Sequence, residues 1–211
     1  ARQFGRNAQV LKADADRVQQ NCRVIRREPG YCLWDTPKGQ LWAVSGQNLA
    51  SLIAEQTFKS AQAGSSEAVK PGDTVLDCGA NVGVFVREAL DRGASRVIAI
   101  EPSPRNIECL RRNFQSESRA GKVVVYEKGV WDRDDVLVLE ETSSGAEDSL
   151  VMQRKDQTGS VKVPVTTIDK LVDELKLDRV DYIKMDIEGA EKKALLGARQ
   201  TLAKFRPRME L

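Results

Sequence analysis

Acidic and glycine residues cluster where one apolar stretch of the chain ends. Residues 74–83 read Thr-Val-Leu-Asp-Cys-Gly-Ala-Asn-Val-Gly, so Asp77 is followed by Gly79, Asn81 and Gly83. Glycine and asparagine tolerate positive φ angles, and glycine also allows close backbone approach. A strand that breaks into such a turn and continues as a helix forms a cradle for a nucleotide-like ligand at the carboxyl end of a sheet.

The carboxylate of Asp77 narrows the kind of ligand. A dinucleotide cradle has the pattern G-x-G-x-x-G, with its glycines against a pyrophosphate. A carboxylate at the strand end would repel a pyrophosphate, but it suits an ammonium group such as that of the methionine part of S-adenosylmethionine. The pattern alone leaves two interpretations open, a cofactor site or a glycine turn that only packs a helix on a strand.

A second carboxylate supports the cofactor interpretation. Glu101 ends the apolar stretch 96–101 and lies 24 positions after Asp77, where the next parallel strand should end. An acid at that place can accept both hydrogen bonds of a ribose diol. Glu101 and the following Pro102 are therefore predicted to contact the cofactor.

The third apolar stretch, residues 122–130, ends beside the predicted cofactor. In a doubly wound sheet this strand end faces the adenine side of the cleft. Val130 or Trp131 could pack on the base, and Asp132 could accept a hydrogen bond from its amino group. A surface loop with a core tryptophan explains the same residues equally well.

These residues need an alternating strand and helix pattern to bring them together, and residues 70–211 carry one. The pattern predicts an α/β fold with a doubly wound, mostly parallel sheet and helices on both faces. Strands are predicted at 74–78, 96–101, 122–130 and 180–187, and helices at 82–92, 104–115, 168–175 and from 188 to about 205. An antiparallel β insertion is predicted at 136–141, 149–154 and 160–165, and a fifth strand from 207, where the chain stops. Thr166 and Asp169 are spaced as a capping box for the third helix.

Residues 1–69 are predicted to form an N-terminal extension packed on this core. It should contain a helix over 8–20, a hairpin over 31–44 and a helix over 48–63 that Asn48 caps. The hairpin carries three aromatic residues, Tyr31, Trp34 and Trp42. They could form a lid or acceptor wall, but packing of the extension on the main sheet is the preferred interpretation.

Composition excludes several classes of function. The chain has 211 residues, a net charge of +2 and no histidine, so catalytic triads with histidine and histidine metal sites are excluded. The cysteines, at 22, 32, 78 and 109, show no C-x-x-C spacing, which argues against zinc and thioredoxin-like sites. Cys22 and Cys32 could pair in an oxidising compartment. The near-neutral charge predicts no nucleic-acid partner, and the lack of a long apolar run predicts no membrane span. A cytoplasmic location is the default expectation for a soluble chain with few cysteines.

Four motifs together resemble the FkbM family of class I S-adenosylmethionine-dependent methyltransferases, over roughly residues 70–211. They are Asp77-Cys-Gly-Ala-Asn-Val-Gly83, Glu101-Pro-Ser-Pro104, Thr167-Ile-Asp-Lys-Leu171 and Ile183-Lys-Met-Asp-Ile-Glu-Gly-Ala-Glu191, the last followed by Leu196-Gly-Ala198. The resemblance implies a Rossmann-like sheet, S-adenosylmethionine as cofactor, and O-methylation of a hydroxyl on a small molecule, sugar or natural product. Class I folds usually add two strands after the fifth, so the sequence is expected to be either a fragment or an unusually short sheet.

The resemblance also implies where the methyl group is transferred. Asp186 and Glu188 match the strand end at which class I enzymes place groups near the methyl. Without histidine, Asp186 is the first candidate general base and Glu188 the second, since two close carboxylates can raise one pKa. Alternatively both only orient the cofactor or cap the following helix. Lys184 is expected to pair with a carboxylate, and two carboxylates are too few to predict a metal site.

Two other classes of function stay open at this point. A dinucleotide-dependent oxidoreductase would require the missing G-x-G-x-x-G pattern, and Asp77 argues against it. A methyltransferase-like binding module without catalysis is opposed by the intact cradle and by Glu101. The oligomeric state is not predicted.

Overall fold

The computed structural model describes residues 17–18, 20–62, 68–142, 149–150 and 157–211. The strands are β1 (Arg23–Glu28), β2 (Tyr31–Thr36), β3 (Gly39–Val44), β4 (Thr74–Cys78), β5 (Arg96–Ile100), β6 (Val123–Tyr126), β7 (Gly129–Val130), β8 (Asp135–Thr142), β9 (Gln157–Thr166), β10 (Tyr182–Met185) and β11 (Arg208–Glu210). The helices are α1 (Leu49–Gln62), α2 (Val84–Asp91), α3 (Pro104–Asn113), α4 (Gln115–Arg119), α5 (Ile168–Glu174), α6 (Glu191–Leu196) and α7 (Arg199–Phe205).

The centre of the structure is a five-stranded parallel sheet in the order β11-β10-β4-β5-β6. All five residues of β4 are buried, and neighbouring residues face opposite sides of the sheet. Leu76 packs in a cluster with residues of α5 and α6, while Val75 packs in another with residues of α2 and α3. The predicted fold class, a doubly wound parallel sheet with helices on both faces, is therefore confirmed.

The order in which successive strands are added to the sheet reverses at β4. β5 and β6 follow it on one side, and β10 and β11 lie on its other side. Open α/β sheets bind ligands outside the carboxyl ends of their strands at such a switch point. The ends of β4, β5 and β10 are therefore the place where a site is expected.

The structure corrects three local predictions. The third strand leaves the central sheet after Tyr126, and Gly129 and Val130 pair instead with β9. The long C-terminal helix is two helices, α6 and α7, and the first ends at Gly197, where a side chain would overlap the backbone oxygen of Trp131. The cap of α5 is Thr167, whose hydroxyl accepts from the backbone of Lys170, and not the predicted Thr166.

The predicted β insertion is present as β8 and β9, which pair antiparallel. Its middle segment, predicted over 149–154, lies mostly outside the described residues, but Ser149 bridges to Glu140 of β8. β9 also pairs with β7, in a separate three-stranded sheet ordered β7-β9-β8. This sheet joins the insertion to the strand end that carries Val130.

The N-terminal extension contains the predicted hairpin as β2 and β3, and β1 adds a third antiparallel strand. The predicted helix over 8–20 falls mostly outside the described residues. α1 begins after Asn48, whose side chain accepts from the backbone of Ser51 as its predicted cap. The Arg112 guanidinium of α3 lies over the rings of Tyr31 and Trp42, so these aromatic side chains pack on the central domain.

All four cysteines are free thiols, so Cys22 and Cys32 do not pair in this structure. Burial raises the pKa of the Cys109 thiol to about 12, which keeps it protonated, as expected of a small buried apolar residue. Among the described residues, no helix has the length and apolar character required to cross a membrane.

Candidate active site

The turn after β4 takes the shape that its residues predict. Gly79 has φ 80°, Asn81 φ 51° and Gly83 φ 94°, all in the left-handed region. The backbone N–H groups of Gly79 and Ala80 both donate to the carbonyl of Ile100, each at 3.0 Å. The turn is therefore fixed to the end of β5 by main-chain hydrogen bonds.

The close approach of neighbouring atoms is a second reason, besides the positive φ angles, for glycine at positions 79 and 83. A Cβ atom at Gly79 would overlap the backbone oxygen of Asp186, and one at Gly83 would overlap the ring of Phe114. The backbone N–H of Asp186 in turn donates to the carbonyl of Cys78 at 3.1 Å. Gly79 therefore lets the ends of β4 and β10 lie against each other.

Glu101 lies at the end of β5, where the sequence predicted it. It lines a pocket at the carboxyl ends of β4, β5 and β10. It is 5% exposed. Its Oε2 accepts from the backbone of Asn81 at 2.8 Å, and its Oε1 accepts from the backbone of Ser103 at 2.9 Å and from Asn106 Nδ2 at 3.5 Å. Main-chain donors thus hold this carboxylate in one orientation.

Asp77 is buried at the end of β4 and is not among the residues that line the pocket. Its side chain is 0% exposed and lies 3.4 Å from Lys184 Nζ, which confirms the expected pairing of that lysine with a carboxylate. Burial raises the pKa of Asp77, although the charge of Lys184 acts against this. Burial alone would lower the pKa of Lys184, but the charges of Asp77 and Asp186 raise it overall. Contact of Asp77 with a cofactor stays a prediction.

Asp186 follows the last residue of β10 and also lines the pocket. Its Oδ2 lies 2.8 Å from Lys59 Nζ of α1, and its side chain is 44% exposed. Partial burial raises the pKa of Asp186, but the charge of Lys184 and the contact with Lys59 lower it overall. The predicted effect of paired carboxylates, a raised pKa, is therefore not seen at Asp186.

Glu188 lies beside Asp186 in the turn between β10 and α6. Its φ of 55° is in the left-handed region, which is uncommon for a residue with a long side chain. Its carbonyl accepts from the hydroxyl of Ser149 at 3.1 Å, and Glu188 lines the pocket. This turn therefore joins the end of β10 to the β insertion.

The remaining predicted contacts divide into two groups. Pro102 and the buried Val130 line the pocket, whereas Trp131 does not. Trp131 instead packs against Val165 and Ala190, and the Lys193 ammonium lies 5.6 Å from the centre of its ring. Val130 thus lies at the pocket and Trp131 in a local core, and contact of either residue with an adenine ring stays a prediction.

The pocket has a volume of about 270 Å³ and opens at the carboxyl ends of β4, β5 and β10. It brings together the predicted Gly79, Asn81, Glu101, Pro102, Val130, Asp186 and Glu188. Its opposite wall is formed by α1, through Leu52, Glu55, Gln56 and Lys59. Sequence reasoning missed this wall, because the only signal of α1 was its amphipathic pattern.

One further contact from the N-terminal extension reaches the turn after β4. The buried Gln47 donates from Nε2 to Asn81 Oδ1 at 2.7 Å, and the same oxygen accepts from the backbone of Val82 at 2.8 Å. Gln47 Oε1 accepts from the backbone of Val44. Gln47 therefore connects β3 to the residue with the least favourable backbone conformation in the turn.

Within the part of the chain that the structure describes, no group of three or more acidic or cysteine side chains could hold a metal ion. The fold and the pocket together define a domain of the Rossmann-like, nucleotide-cofactor-binding class. Acidic and amide groups dominate the polar part of its wall.

Comparison with known proteins identifies the family within that class. The family model described as the Methyltransferase FkbM domain matches residues 77–211, which is more than half of the chain. The chain belongs to this family, and the predictions of the FkbM family and of S-adenosylmethionine as its cofactor are confirmed.

Individual relatives are more distant. The 2-O-methyltransferase NoeI of Sinorhizobium fredii is 26% identical over 153 residues, which cover 65% of this chain and 62% of NoeI. The crystal structure of methyltransferase FkbM from Methylobacillus flagellatus is 25% identical, with a TM-score of 0.46, over 65% of this chain and 32% of that one. Aeropyrum pernix fibrillarin, solved with natively bound S-adenosyl-L-methionine, is 14% identical with a TM-score of 0.40, over 87% of this chain and 74% of that one. The chain thus spans less than two thirds of the first two relatives.

Proposed function

We propose that this protein transfers a methyl group from S-adenosylmethionine to a hydroxyl group of a small molecule, such as a sugar or another natural product. One observation carries the proposal. Glu101 at the end of β5 and Asp186 at the end of β10 line a single pocket, on either side of the glycine turn after β4. In a chain of the FkbM methyltransferase family, that arrangement provides one carboxylate for the cofactor and one for the acceptor.

The residues present fit S-adenosylmethionine. The backbone of Gly79 approaches the pocket wall so closely that a side chain there would overlap its neighbour. Glu101 offers carboxylate oxygens where a ribose diol would lie. Asp77 is buried and paired with Lys184, so a contact of Asp77 with the cofactor's ammonium group is proposed from the family resemblance alone. Val130 and Pro102 provide apolar surface for the adenine ring.

The chemistry requires alignment more than activation. When bound, S-adenosylmethionine would supply a sulfonium-activated methyl group, which the acceptor oxygen would take as the thioether leaves. Asp186, held ionised by Lys59 and Lys184, takes the proton that the acceptor hydroxyl loses. The turn of Gly79 and the wall of α1 lie on opposite sides of the pocket, and holding two reactants in line between them would lower the entropic part of the barrier.

Two observations support a hydroxylated small molecule as the acceptor. The relative NoeI is a 2-O-methyltransferase by name, and this supports a hydroxyl as acceptor. The net charge of +2 gives little electrostatic attraction for nucleic acid, which favours a small molecule. The domain that would carry the activity is residues 70–211, with the N-terminal extension supplying the wall formed by α1.

Two measurements test the proposal. Calorimetric titration with S-adenosylmethionine should give a micromolar Kd, and NAD as the control ligand should not bind. Transfer of label from methyl-tritiated S-adenosylmethionine to a panel of neutral methyl glycosides should then exceed the background obtained without protein. Binding of NAD alone would contradict the cofactor assignment. Cofactor binding without transfer to any hydroxylated acceptor would contradict the O-methyltransferase assignment and leave a binding module.

A further inference from the structure

The wall that α1 contributes lies outside the residues that match the FkbM family. That match begins at residue 77, whereas α1 spans Leu49–Gln62. Lys59 of this helix reaches the pocket and contacts Asp186 at the end of β10. Lys59, which the family match does not include, therefore contacts Asp186, the proposed general base.

Two carboxylates hold the ammonium group of Lys59. Lys59 Nζ lies 3.0 Å from Glu55 Oε1, one helical turn earlier in α1, and 2.8 Å from Asp186 Oδ2. Glu55 thus holds the lysine from its own helix, since residues at i and i+4 are neighbours on a helix surface. Asp186 Oδ1 accepts no hydrogen bond from any of the described residues. One oxygen of the carboxylate is held and the other is left for a ligand.

We propose that Lys59 is a positioning residue for Asp186, holding Oδ2 so that Oδ1 is presented to the acceptor hydroxyl. The inference rests on the proposed function, in which Asp186 accepts the proton. An alternative use of Lys59 is direct binding of the cofactor's carboxylate, because an ammonium at the pocket wall could serve either purpose. The experiment below separates the two.

Several charged groups besides Lys59 face Asp186, so the effect of Lys59 must be separated from theirs. Glu55 approaches with Lys59 from α1, and Lys184 with its partner Asp77 lies within the sheet. Glu188 follows in the same turn, and Glu101 lines the pocket beside β5. Removal of Lys59 leaves the charge of Lys184 still lowering the pKa of Asp186 but removes the contribution of Lys59, so that pKa should rise toward its ordinary value.

The direct test is a titration of the Asp186 carboxyl by carbon-13 NMR, on protein labelled at aspartate Cγ and bound to S-adenosylhomocysteine. Asp186→Asn identifies the resonance. In Lys59→Met the Asp186 carboxyl should titrate at higher pH than in the parent chain, and Lys59→Arg should restore the parent midpoint because it keeps the charge. Lys170→Met is the matched control, since Lys170 is also paired, with Asp134, but does not line the pocket.

Methyl transfer gives a second readout. A base acts only when it is ionised, so the acid limb of the pH profile of kcat/KM should move to higher pH in Lys59→Met. At saturating cofactor kcat should fall by about tenfold, through loss of alignment, with the Kd for S-adenosylmethionine unchanged. Lys59→Arg should recover most of the rate, and the thermal midpoints of all variants should agree with that of the parent chain.

Two results would overturn the inference. One is an unchanged titration of Asp186 in Lys59→Met. The other is weaker binding of S-adenosylmethionine as the only change, which would assign Lys59 to the cofactor. Failure of the proposed function looks different: the parent chain would methylate none of the glycosides, while the NMR titration would still show whether Lys59 holds Asp186.

Discussion

Glu101 and Asp186 occupy equivalent places in the sheet but are held in opposite ways. Each follows directly after a strand that pairs with β4, β5 on one side and β10 on the other. Glu101 is 5% exposed and accepts from the backbone of Asn81 and Ser103. The side chain of Asp186 is 44% exposed and is held by the ammonium of one lysine from another element.

In the proposed function, this difference separates a fixed binding group, Glu101, from a less rigidly held reacting group, Asp186. The main-chain donors to Glu101 cannot move without moving the turn, so Glu101 would offer its oxygens to the cofactor in one geometry. A lysine on a helix costs little free energy to displace, because exposed ion pairs contribute only about 0–1 kcal/mol. The carboxylate of Asp186 is therefore fixed less firmly than that of Glu101.

The largest predicted effect is on catalysis. Asp186→Asn keeps the shape of the side chain but removes its ability to take a proton, so kcat should fall by about 10²–10⁴-fold. The Kd for S-adenosylmethionine should stay within about threefold, because in the proposed function Glu101, and not Asp186, binds the cofactor. Methyl transfer and calorimetry on the same preparation check both parts. Asp132→Asn, at a carboxylate paired with Lys193 outside the pocket, is the control. A normal kcat in Asp186→Asn would remove the general base from the mechanism.

The complementary change should act on binding. Glu101→Gln removes the negative charge that would accept from the ribose hydroxyls, at about 1.5–3 kcal/mol for a hydrogen bond to a charged group. The Kd for S-adenosylmethionine should therefore rise by roughly 10–100-fold, while kcat at saturating cofactor changes much less. Calorimetry measures the first and methyl transfer the second. Glu127→Gln, at an exposed carboxylate paired with Arg111, should alter neither. An equal loss in kcat would mean that the two carboxylates act as one unit.

The cofactor side of the site could be predicted because it depends on short-range rules. The spacing from Asp77 to Gly83 specifies a turn, and the carboxyl ends of parallel strands meet at one edge, so Glu101 and Asp186 had to lie near that turn. The acceptor side depends on how α1 docks, which is decided by distant packing. Lys59 is four residues after Glu55, like any exposed helical ion pair, and nothing in the sequence marks it as part of a pocket.

The errors in the predicted fold also come from contacts between residues that are distant in the sequence. Residues 122–130 form one apolar run, and only the pairing of Gly129 and Val130 with β9 shows that the chain changes sheets after Tyr126. Gly197 inside a helical pattern is usually tolerated at a small cost. Here the neighbouring backbone of Trp131 requires the glycine, and the helix ends there.

A smaller effect is predicted where the two strand ends touch. Gly79→Ala requires an alanine at φ 80° and places its Cβ against the backbone oxygen of Asp186. We expect a loss of about 2–4 kcal/mol in the free energy of unfolding and a rise of about tenfold in the Kd for S-adenosylmethionine. Gly72→Ala is the matched control, because Gly72 has φ 86° but nothing within 4 Å of its added Cβ, and should cost only about 1–2 kcal/mol. Urea unfolding checks the difference. Equal losses of unfolding free energy in Gly79→Ala and Gly72→Ala would show that the close approach of Asp186 is not why residue 79 is glycine.

The smallest effect should come from the link between the N-terminal extension and the turn. Gln47→Ala removes the donor to Asn81 Oδ1 and the acceptor for the Val44 backbone, both in a buried setting. Each lost hydrogen bond is worth about 0.5–1.5 kcal/mol, so the free energy of unfolding should fall by about 1–3 kcal/mol. Asn81 Oδ1 still accepts from Val82, and its backbone still donates to Glu101, so the Kd for S-adenosylmethionine should rise by only about twofold to fivefold. Gln40→Ala, on the exposed part of β3, is the control for unfolding. A Kd change as large as that of Glu101→Gln would mean that the extension, and not the main chain alone, fixes the cofactor carboxylate.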